Sequence, residues 1–107
     1  MTHQELSIER MNAAAGEATA ILRALANESR LLLLCQLSNG ELCVSDLEER
    51  LDIHQPTLSQ QLGVLRTEGL VTTRREGKKI YYSIRDARVL TLLRTMYEVF
   101  CPKTEGR

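Results

Sequence analysis

Tryptophan is absent from the 107-residue sequence, and phenylalanine, proline and glycine are scarce, with one, two and six residues. So little proline and glycine, beside a charged fraction of 26%, excludes a collagen-like or low-complexity chain. The longest uninterrupted apolar run, residues 31–35, is far shorter than the roughly 20 residues that span a bilayer. The sequence therefore predicts a single domain over residues 1–107 that makes no use of a membrane.

Cysteine is also scarce, with three residues in the chain: Cys35, Cys43 and Cys101. The N-terminus lacks the basic segment followed by an apolar segment that is typical of a signal peptide. Without an export signal, an odd number of cysteines does not indicate a framework of structural disulfides. We therefore expect a cytoplasmic protein whose cysteines are thiols at rest.

The formal net charge of zero conceals an uneven distribution of charge along the chain. Residues 1–54 hold four basic and nine acidic side chains, whereas residues 55–85 hold six basic and two acidic side chains. A basic segment of this kind is often only a solvated surface, but it is also what a protein that binds nucleic acid requires.

Hydrophobic spacing and capping residues predict four helices, a hairpin and a fifth helix. The predicted helices cover residues 8–26, 27–37 with Asn27 as cap, 45–52 with a capping box at Ser45 and Glu48, 56–68, and 86–101 with Asp86 as cap. The predicted strands cover residues 70–74 and 80–84, with Gly77 in the turn between them. This order, ααααββα, predicts a mainly α fold with a β-hairpin wing, a winged helix-turn-helix.

The fourth predicted helix has the pattern of a DNA recognition helix. Leu58, Leu62 and Leu65 share one face and should pack inward, which leaves short polar side chains on the other faces. The candidate DNA-binding residues of this segment are Gln55, Thr57, Ser59, Gln60 and Gln61. On the wing, we expect Arg74, Arg75, Lys78 and Lys79 to neutralise phosphates or enter the minor groove. The predicted partner is a double-stranded DNA operator, and the alternative is a winged helix that binds another protein.

Several segments resemble the ArsR/SmtB family of winged helix-turn-helix repressors. Residues 24–31 (ALANESRL) resemble the entry to that family's second helix, and residues 41–47 (ELCVSDL) resemble its "ELCVCDL" segment. Residues 55–62 (QPTLSQQL) with 65–71 (LRTEGLV) resemble its recognition helix, and residues 77–82 (GKKIYY) are similar to its wing. The resemblance, which covers about residues 10–101, implies a homodimer built by the first and last helices. It also implies an inverted-repeat operator that is released when an inducer binds.

The sequence supports a homodimer independently of this resemblance. The first and last predicted helices both carry apolar stripes, and a chain this small cannot easily cover both of them by itself. A twofold dimer would place two recognition helices about 34 Å apart, one turn of DNA.

Neither a metal site nor a catalytic site is predicted. Metal-sensing members of the family use a Cys-x-Cys pair or Asp and His ligands on the last helix, but here Ser45 replaces the second thiol after Cys43. The last predicted helix contains no histidine, and His54 lies in the turn of the helix-turn-helix. The chain has no constellation of nucleophile, base and acid and no phosphate-binding loop. We therefore expect neither an enzyme nor a bound cofactor.

Cys35 and Cys101 fall in the second helix and at the end of the last helix. In this they resemble the persulfide-sensing branch of the family, the SqrR, BigR and HlyU-like repressors. That resemblance implies two redox-sensing thiols that react with persulfide or polysulfide, become joined, and lower DNA affinity. Two alternatives stay open. In the first, Cys35 is only a small core residue and Cys101 lies at the end of the helix by chance. In the second, some combination of Cys35, Cys43 and Cys101 senses arsenite.

Overall fold

The computed structural model describes residues 5–102. Its helices and strands are α1 (Ile8–Leu25), α2 (Glu28–Leu37), β1 (Leu42–Cys43), α3 (Val44–Arg50), α4 (Thr57–Thr67), β2 (Val71–Glu76), β3 (Lys79–Ile84) and α5 (Ala87–Phe100). Helices α3 and α4 form the helix-turn-helix, and the β2–β3 hairpin is the wing. The predicted fold class, a mainly α winged helix-turn-helix, is confirmed.

Polar side chains fix where three of the helices begin. The hydroxyl of Ser7 accepts the backbone N–H of Arg10 at 3.2 Å, and Asn27 Oδ1 accepts that of Arg30 at 3.0 Å. Asp86 Oδ1 accepts the backbone N–H of Arg88 at 3.0 Å. Because the first N–H groups of a helix have no partner within it, each such bond is worth about 1 kcal/mol. The predicted caps Asn27 and Asp86 are confirmed.

Helix α3 begins earlier than the sequence predicts. The predicted capping box at Ser45 and Glu48 is wrong, because Cys43 occupies the N-cap position and Asp46 takes the part predicted for Glu48. The Asp46 carboxylate accepts the backbone N–H of Cys43 at 3.2 Å. Cysteine is an unusual cap, so a search for serine or threonine selects the wrong residue.

A third strand joins the predicted hairpin. The order in the antiparallel sheet is β1–β3–β2, with Leu42 opposite Tyr82 in one pair and Val71 opposite Ile84 in the other. The hairpin is tighter than predicted, because the ladder continues to Glu76 opposite Lys79. Gly77, at φ +63°, takes a left-handed conformation in the turn, which suits a residue without a Cβ.

The core lies beneath the helix-turn-helix. The most deeply buried large side chains come from α2, α3, α4 and α5, and are Leu33, Leu34, Leu47, Leu58, Leu62, Leu65 and Val89. Burying one such side chain contributes about 1.5–3 kcal/mol. Three of them belong to α4, so the core holds the inner face of that helix while its polar faces stay on the surface.

Much of the apolar surface of α1 and α5 is uncovered in the single chain. Met11 and Leu22 on α1 are exposed, as are Tyr97, Val99 and Phe100 on α5. A mainly apolar groove of about 370 Å³ lies between the two helices, with Ala14, Ile21 and Leu92 among its lining residues.

From residue 5 to residue 102, no helix has both the length and the apolar character that a bilayer crossing needs.

Candidate nucleic-acid interface and thiol pair

The outer faces of α4 present the polar side chains that the sequence predicts. Thr57, Ser59 and Gln60 are exposed, whereas Leu58 and Leu62 are buried. The hydroxyls and the amide therefore stand where a helix in the major groove would offer them to base edges and phosphates.

Gln55 lies just before α4 and acts on the helix itself. Its Oε1 accepts the backbone N–H of Ser59 at 3.1 Å, so the side chain satisfies one of the unpartnered donors of the first turn. The side chain of Gln55 is exposed, and this bond uses its oxygen rather than its NH₂ group.

Gln61 is the exception among the predicted DNA-binding residues of α4. It is half-buried, and its Oε1 accepts a hydrogen bond from Nη1 of Arg30 at 2.9 Å. Arg30 belongs to the first turn of α2, so this bond joins two helices. Gln61 is thus oriented by a neighbouring helix, unlike Gln60 beside it.

On the wing, the exposed Arg74 forms ion pairs with two carboxylates. Its Nη2 lies 2.6 Å from Oε1 of Glu41, and its Nη1 lies 2.7 Å from Oε1 of Glu76. The guanidinium also sits over the Tyr81 ring, 4.7 Å from the centroid. These hydrogen bonds, that to Glu41 above all, raise the pKa of Arg74 above its usual range, and the bond to Arg74 lowers the pKa of Glu41. A phosphate would have to compete with two carboxylates for this side chain.

The other cations of the wing are differently placed. Arg75, Lys78 and Lys79 are exposed, and none of them forms an ion pair with another residue of the described range 5–102. Lys79 is near enough to Asp46 for its charge to contribute to the lowered pKa of that carboxyl, whose main cause is the hydrogen bond from the Cys43 thiol. These three side chains are open to a polyanion.

Cys35 lies on α2, and Cys101 follows the last turn of α5. Both are exposed free thiols, and Cys101 is the C-cap of α5. A cavity of about 460 Å³ beside Cys35 is lined by Leu93, Arg94 and Tyr97 of α5. Burial raises the pKa of the Cys35 thiol, and the negative charge of a Cys101 thiolate raises it further.

Cys43 has different surroundings. It is buried, and its sulfur lies 3.2 Å from both Ser45 Oγ and Asp46 Oδ2. Within residues 5–102, no group of three or more His, Cys, Asp or Glu side chains is arranged to hold a metal ion. The thiol of Cys43 therefore takes part in the hydrogen bonds that begin α3.

The fold and the exposed polar helix define the class to which this protein belongs, the DNA-binding winged helix-turn-helix regulators of transcription. Residues 27–73 match the model of the family described as "Bacterial regulatory protein, arsR family". The chain is 46% identical to the "Biofilm growth-associated repressor" of Agrobacterium fabrum over 95% of this chain and 87% of that one. It belongs to the ArsR family, and it regulates transcription rather than catalysing a reaction.

Solved structures agree with this assignment. The crystal structure of the transcriptional repressor BigR from Xylella fastidiosa superposes with a TM-score of 0.88 at 43% identity, over 92% of this chain and all of that one. A homodimeric winged helix-turn-helix DNA-binding domain from Mycobacterium bovis superposes with a TM-score of 0.72 at 32% identity, over 92% and 89% of the two chains. Because these relatives are DNA-binding regulators, the comparisons favour a DNA-binding protein over a winged helix that binds only another protein.

Arg30 and Glu41 are the residues that the sequence analysis does not single out. Each contacts a predicted DNA-binding residue from a distance along the chain, 31 residues for Arg30 and Gln61, and 33 for Glu41 and Arg74. Arg30 lies inside a motif of the family, but the motif does not reveal its partner. Glu41 likewise opens the ELCVSDL segment, but that motif does not reveal that Glu41 pairs with Arg74.

Proposed function

We propose that this protein is a homodimeric repressor in the cytoplasm that binds an inverted-repeat operator and releases it when persulfide or polysulfide joins Cys35 to Cys101. The observation that carries the proposal is the cavity that Cys35 shares with Leu93, Arg94 and Tyr97 of α5, because the backbone N–H of Cys101 bonds to the carbonyl of that same Tyr97 at 2.9 Å. The charge of a Cys101 thiolate also contributes to the raised pKa of Cys35. The relatives named as a biofilm repressor and as BigR support the repressor part.

The proposed DNA contacts divide between α4 and the wing. Thr57, Ser59 and Gln60 enter the major groove. Gln55, at the N-terminal end of α4, lies where the helix meets the sugar-phosphate backbone of the DNA. On the wing, the phosphate contacts belong to Arg75, Lys78 and Lys79. Arg74, predicted as a fourth such cation, holds the wing against Glu41 instead.

The proposed dimer uses the uncovered faces of α1 and α5. Leu22, Tyr97 and Phe100 are among the apolar side chains left in water by a single chain, and a second copy would cover them. The homodimeric relative from Mycobacterium bovis supports this arrangement. In the dimer, the two recognition helices would enter successive major grooves, about 34 Å apart.

The proposed reaction of the two thiols with a persulfide needs neither a metal nor a cofactor. A cysteine thiolate attacks the outer sulfur of a persulfide RSSH, so that a cysteine persulfide forms and RSH leaves. The second cysteine then attacks the inner sulfur, which forms a disulfide and releases H₂S. If both cysteines carry a persulfide, the outer sulfur of one attacks the inner sulfur of the other. The S–S bond of the second persulfide breaks, H₂S leaves, and a trisulfide joins the two cysteines.

A bridge of either kind would connect the DNA-reading half of the molecule to the dimer. Cys35 is on α2, which packs against α4, and Cys101 ends α5. A bridge that favours one spacing of the two recognition helices needs to be worth only about 1–3 kcal/mol to change operator affinity five- to 150-fold.

Serine substitutions at the three cysteines test this proposal. We expect Cys35→Ser and Cys101→Ser to bind the operator like the unaltered protein and to keep it bound after polysulfide treatment. Cys43→Ser is the matched control, and it should release DNA as the unaltered protein does, because its thiol is not part of the pair. Fluorescence anisotropy of a labelled operator duplex gives both affinities. Release by both Cys35→Ser and Cys101→Ser would rule out the dithiol switch.

A further inference from the structure

One guanidinium, that of Arg30 on α2, contacts both the end of α1 and the middle of the recognition helix α4. Arg30 Nε donates to the backbone carbonyl of Ala24 at 2.7 Å, and its Nη2 donates to that of Arg23 at 3.2 Å. Its Nη1 donates to Oε1 of Gln61 at 2.9 Å. The first two acceptors are at the C-terminal end of α1, and the third is on α4.

The two ends of this contact differ in how firmly they are fixed. The carbonyls of Arg23 and Ala24 lie in the last turn of α1, at the negative end of its dipole, and that of Arg23 also accepts the N–H of the capping Ala26 at 3.3 Å. Two such acceptors hold a planar cation in a defined orientation. With Nε and Nη2 so occupied, the direction of Nη1 is set. The Gln61 side chain, and with it the middle of α4, is therefore held relative to α1.

The position of Gln61 on α4 separates it from the side chains that face outward. Its neighbour Gln60 is exposed, whereas Gln61 is half-buried against α2. Its oxygen is engaged by Arg30, and the bidentate contact of a glutamine with adenine requires that oxygen together with the NH₂ group. While it remains bonded to Arg30, the Gln61 oxygen points towards α2 with one of its two lone pairs occupied, and this orientation disfavours that contact.

We propose that Arg30 is a positioning residue for operator binding, and that Gln61 is its acceptor on α4 rather than a reader of bases. The proposal rests on the operator binding described under the proposed function and deepens it. Without the Arg30–Gln61 bond, α4 keeps its buried leucine face but loses the contact that fixes its orientation relative to α1, so base contacts weaken while the phosphate contacts of the wing persist. The bond affects recognition without either residue touching DNA.

Glutamate substitutions at adjacent positions give the sharpest test. Gln61→Glu keeps an acceptor for Arg30 and makes the bond charge-assisted, so we expect affinity within about threefold of the unaltered protein. Gln60→Glu is the matched control, because its added charge faces the phosphates, and we expect a loss of about tenfold or more. The probe is a duplex that the unaltered, reduced protein selects from a random-sequence library.

Variants that break the bond provide the second half of the test. Gln61→Met removes the acceptor at similar length, and Arg30→Lys cannot reach three acceptors at once; we expect each to lose about fivefold in affinity. Their salt dependence should match that of the unaltered protein, because the number of phosphate contacts is unchanged. The double variant should lose no more than either single one, since both remove the same bond.

The outcomes separate this proposal from its alternatives. If Gln61→Glu loses as much affinity as Gln60→Glu, Gln61 faces the DNA and the proposal is wrong. If Gln61→Met lowers only the midpoint of chemical unfolding and leaves affinity unchanged, the bond is merely structural and the proposal is also wrong. If the unaltered protein selects no duplex, operator binding itself fails. Every arm uses reduced protein, so failure of the thiol switch does not affect the result.

Discussion

At the scale of single residues, the environment of Cys35 controls how readily it reacts. Its thiol is partly withdrawn from water, and that burial is the larger cause of its raised pKa. Only the thiolate is nucleophilic, so a raised pKa means that less of the reactive form exists at neutral pH. Although the Cys35 side chain is exposed, its raised pKa therefore slows its first attack on an oxidant or persulfide at neutral pH.

The pH dependence of Cys35 alkylation should depend on Cys101. We expect the midpoint of the rate profile to lie above that of an ordinary exposed thiol, because the raised pKa moves thiolate formation to higher pH. In Cys101→Ser the repulsive charge is gone, so the midpoint should move down while remaining elevated by burial. Iodoacetamide labelling followed by peptide mass spectrometry measures the rate at Cys35.

Cys43→Ser provides the reference for this measurement. The Cys43 thiol is not among the causes of the raised Cys35 pKa, so this variant should have the profile of the unaltered protein. A Cys101→Ser profile that coincides with that of Cys43→Ser would mean that the two thiols are not coupled.

At the scale of helices and strands, local chemistry explains which elements the sequence predicts. The caps Asn27 and Asp86 bond to residues two or three positions away, and Gly77 shapes a turn between adjacent strands. Each signal is complete within a few residues, so a sequence pattern is enough to recognise it.

The elements that the sequence does not predict depend on distant partners. Strand β1 is only two residues long and exists because Leu42 and Cys43 pair with Tyr82 and Tyr81 of β3. No period is detectable in two residues. The site divides in the same way. Helical spacing predicts which residues of α4 are exposed, whereas the bonds from Arg30 to Gln61 and from Arg74 to Glu41 join residues more than 30 positions apart, which no local pattern reveals.

The wing as an element should contribute to DNA binding through three of its four cations. We expect Lys79→Gln to weaken binding and to lower the slope of log affinity against log salt concentration by about one, since one phosphate contact is lost. Arg74→Gln should leave the slope nearly unchanged, because Arg74 is paired with Glu41 and Glu76. Anisotropy titrations at several salt concentrations measure both slopes. Equal reductions in the two variants would mean that Arg74 leaves its carboxylates for the DNA.

At the scale of the whole molecule, the proposed homodimer would bring two recognition helices to one operator and would place the proposed thiol pair beside the dimer interface. One recognition helix reads one half-site, and the inverted repeat requires two of them at a fixed separation. The exposed apolar side chains of α1 and α5 supply the surface for that assembly, and Cys101 ends one of these two helices. A bridge to Cys35 would therefore act where the dimer and the DNA-reading unit meet.

Disruption of the α1 surface should separate the two copies. Leu22→Gln places a polar group in the groove between α1 and α5, so we expect a shift towards monomer and a parallel loss of operator affinity. Ile80→Gln is the matched control, because Ile80 is also exposed but belongs to β3, and it should remain dimeric. Sedimentation velocity gives the oligomeric state. A Leu22→Gln variant as dimeric as Ile80→Gln would exclude this surface from the interface.

The central claim, that one chain's Cys35 and Cys101 become covalently joined as DNA is released, is tested most directly by mass spectrometry of the operator complex during polysulfide titration. We expect a peptide pair joined through Cys35 and Cys101, by two or three sulfur atoms, to increase in proportion to the DNA released. Diamide should give the two-sulfur bridge alone. Complete release with both thiols unjoined, or with a bridge only through Cys43, would contradict the claim.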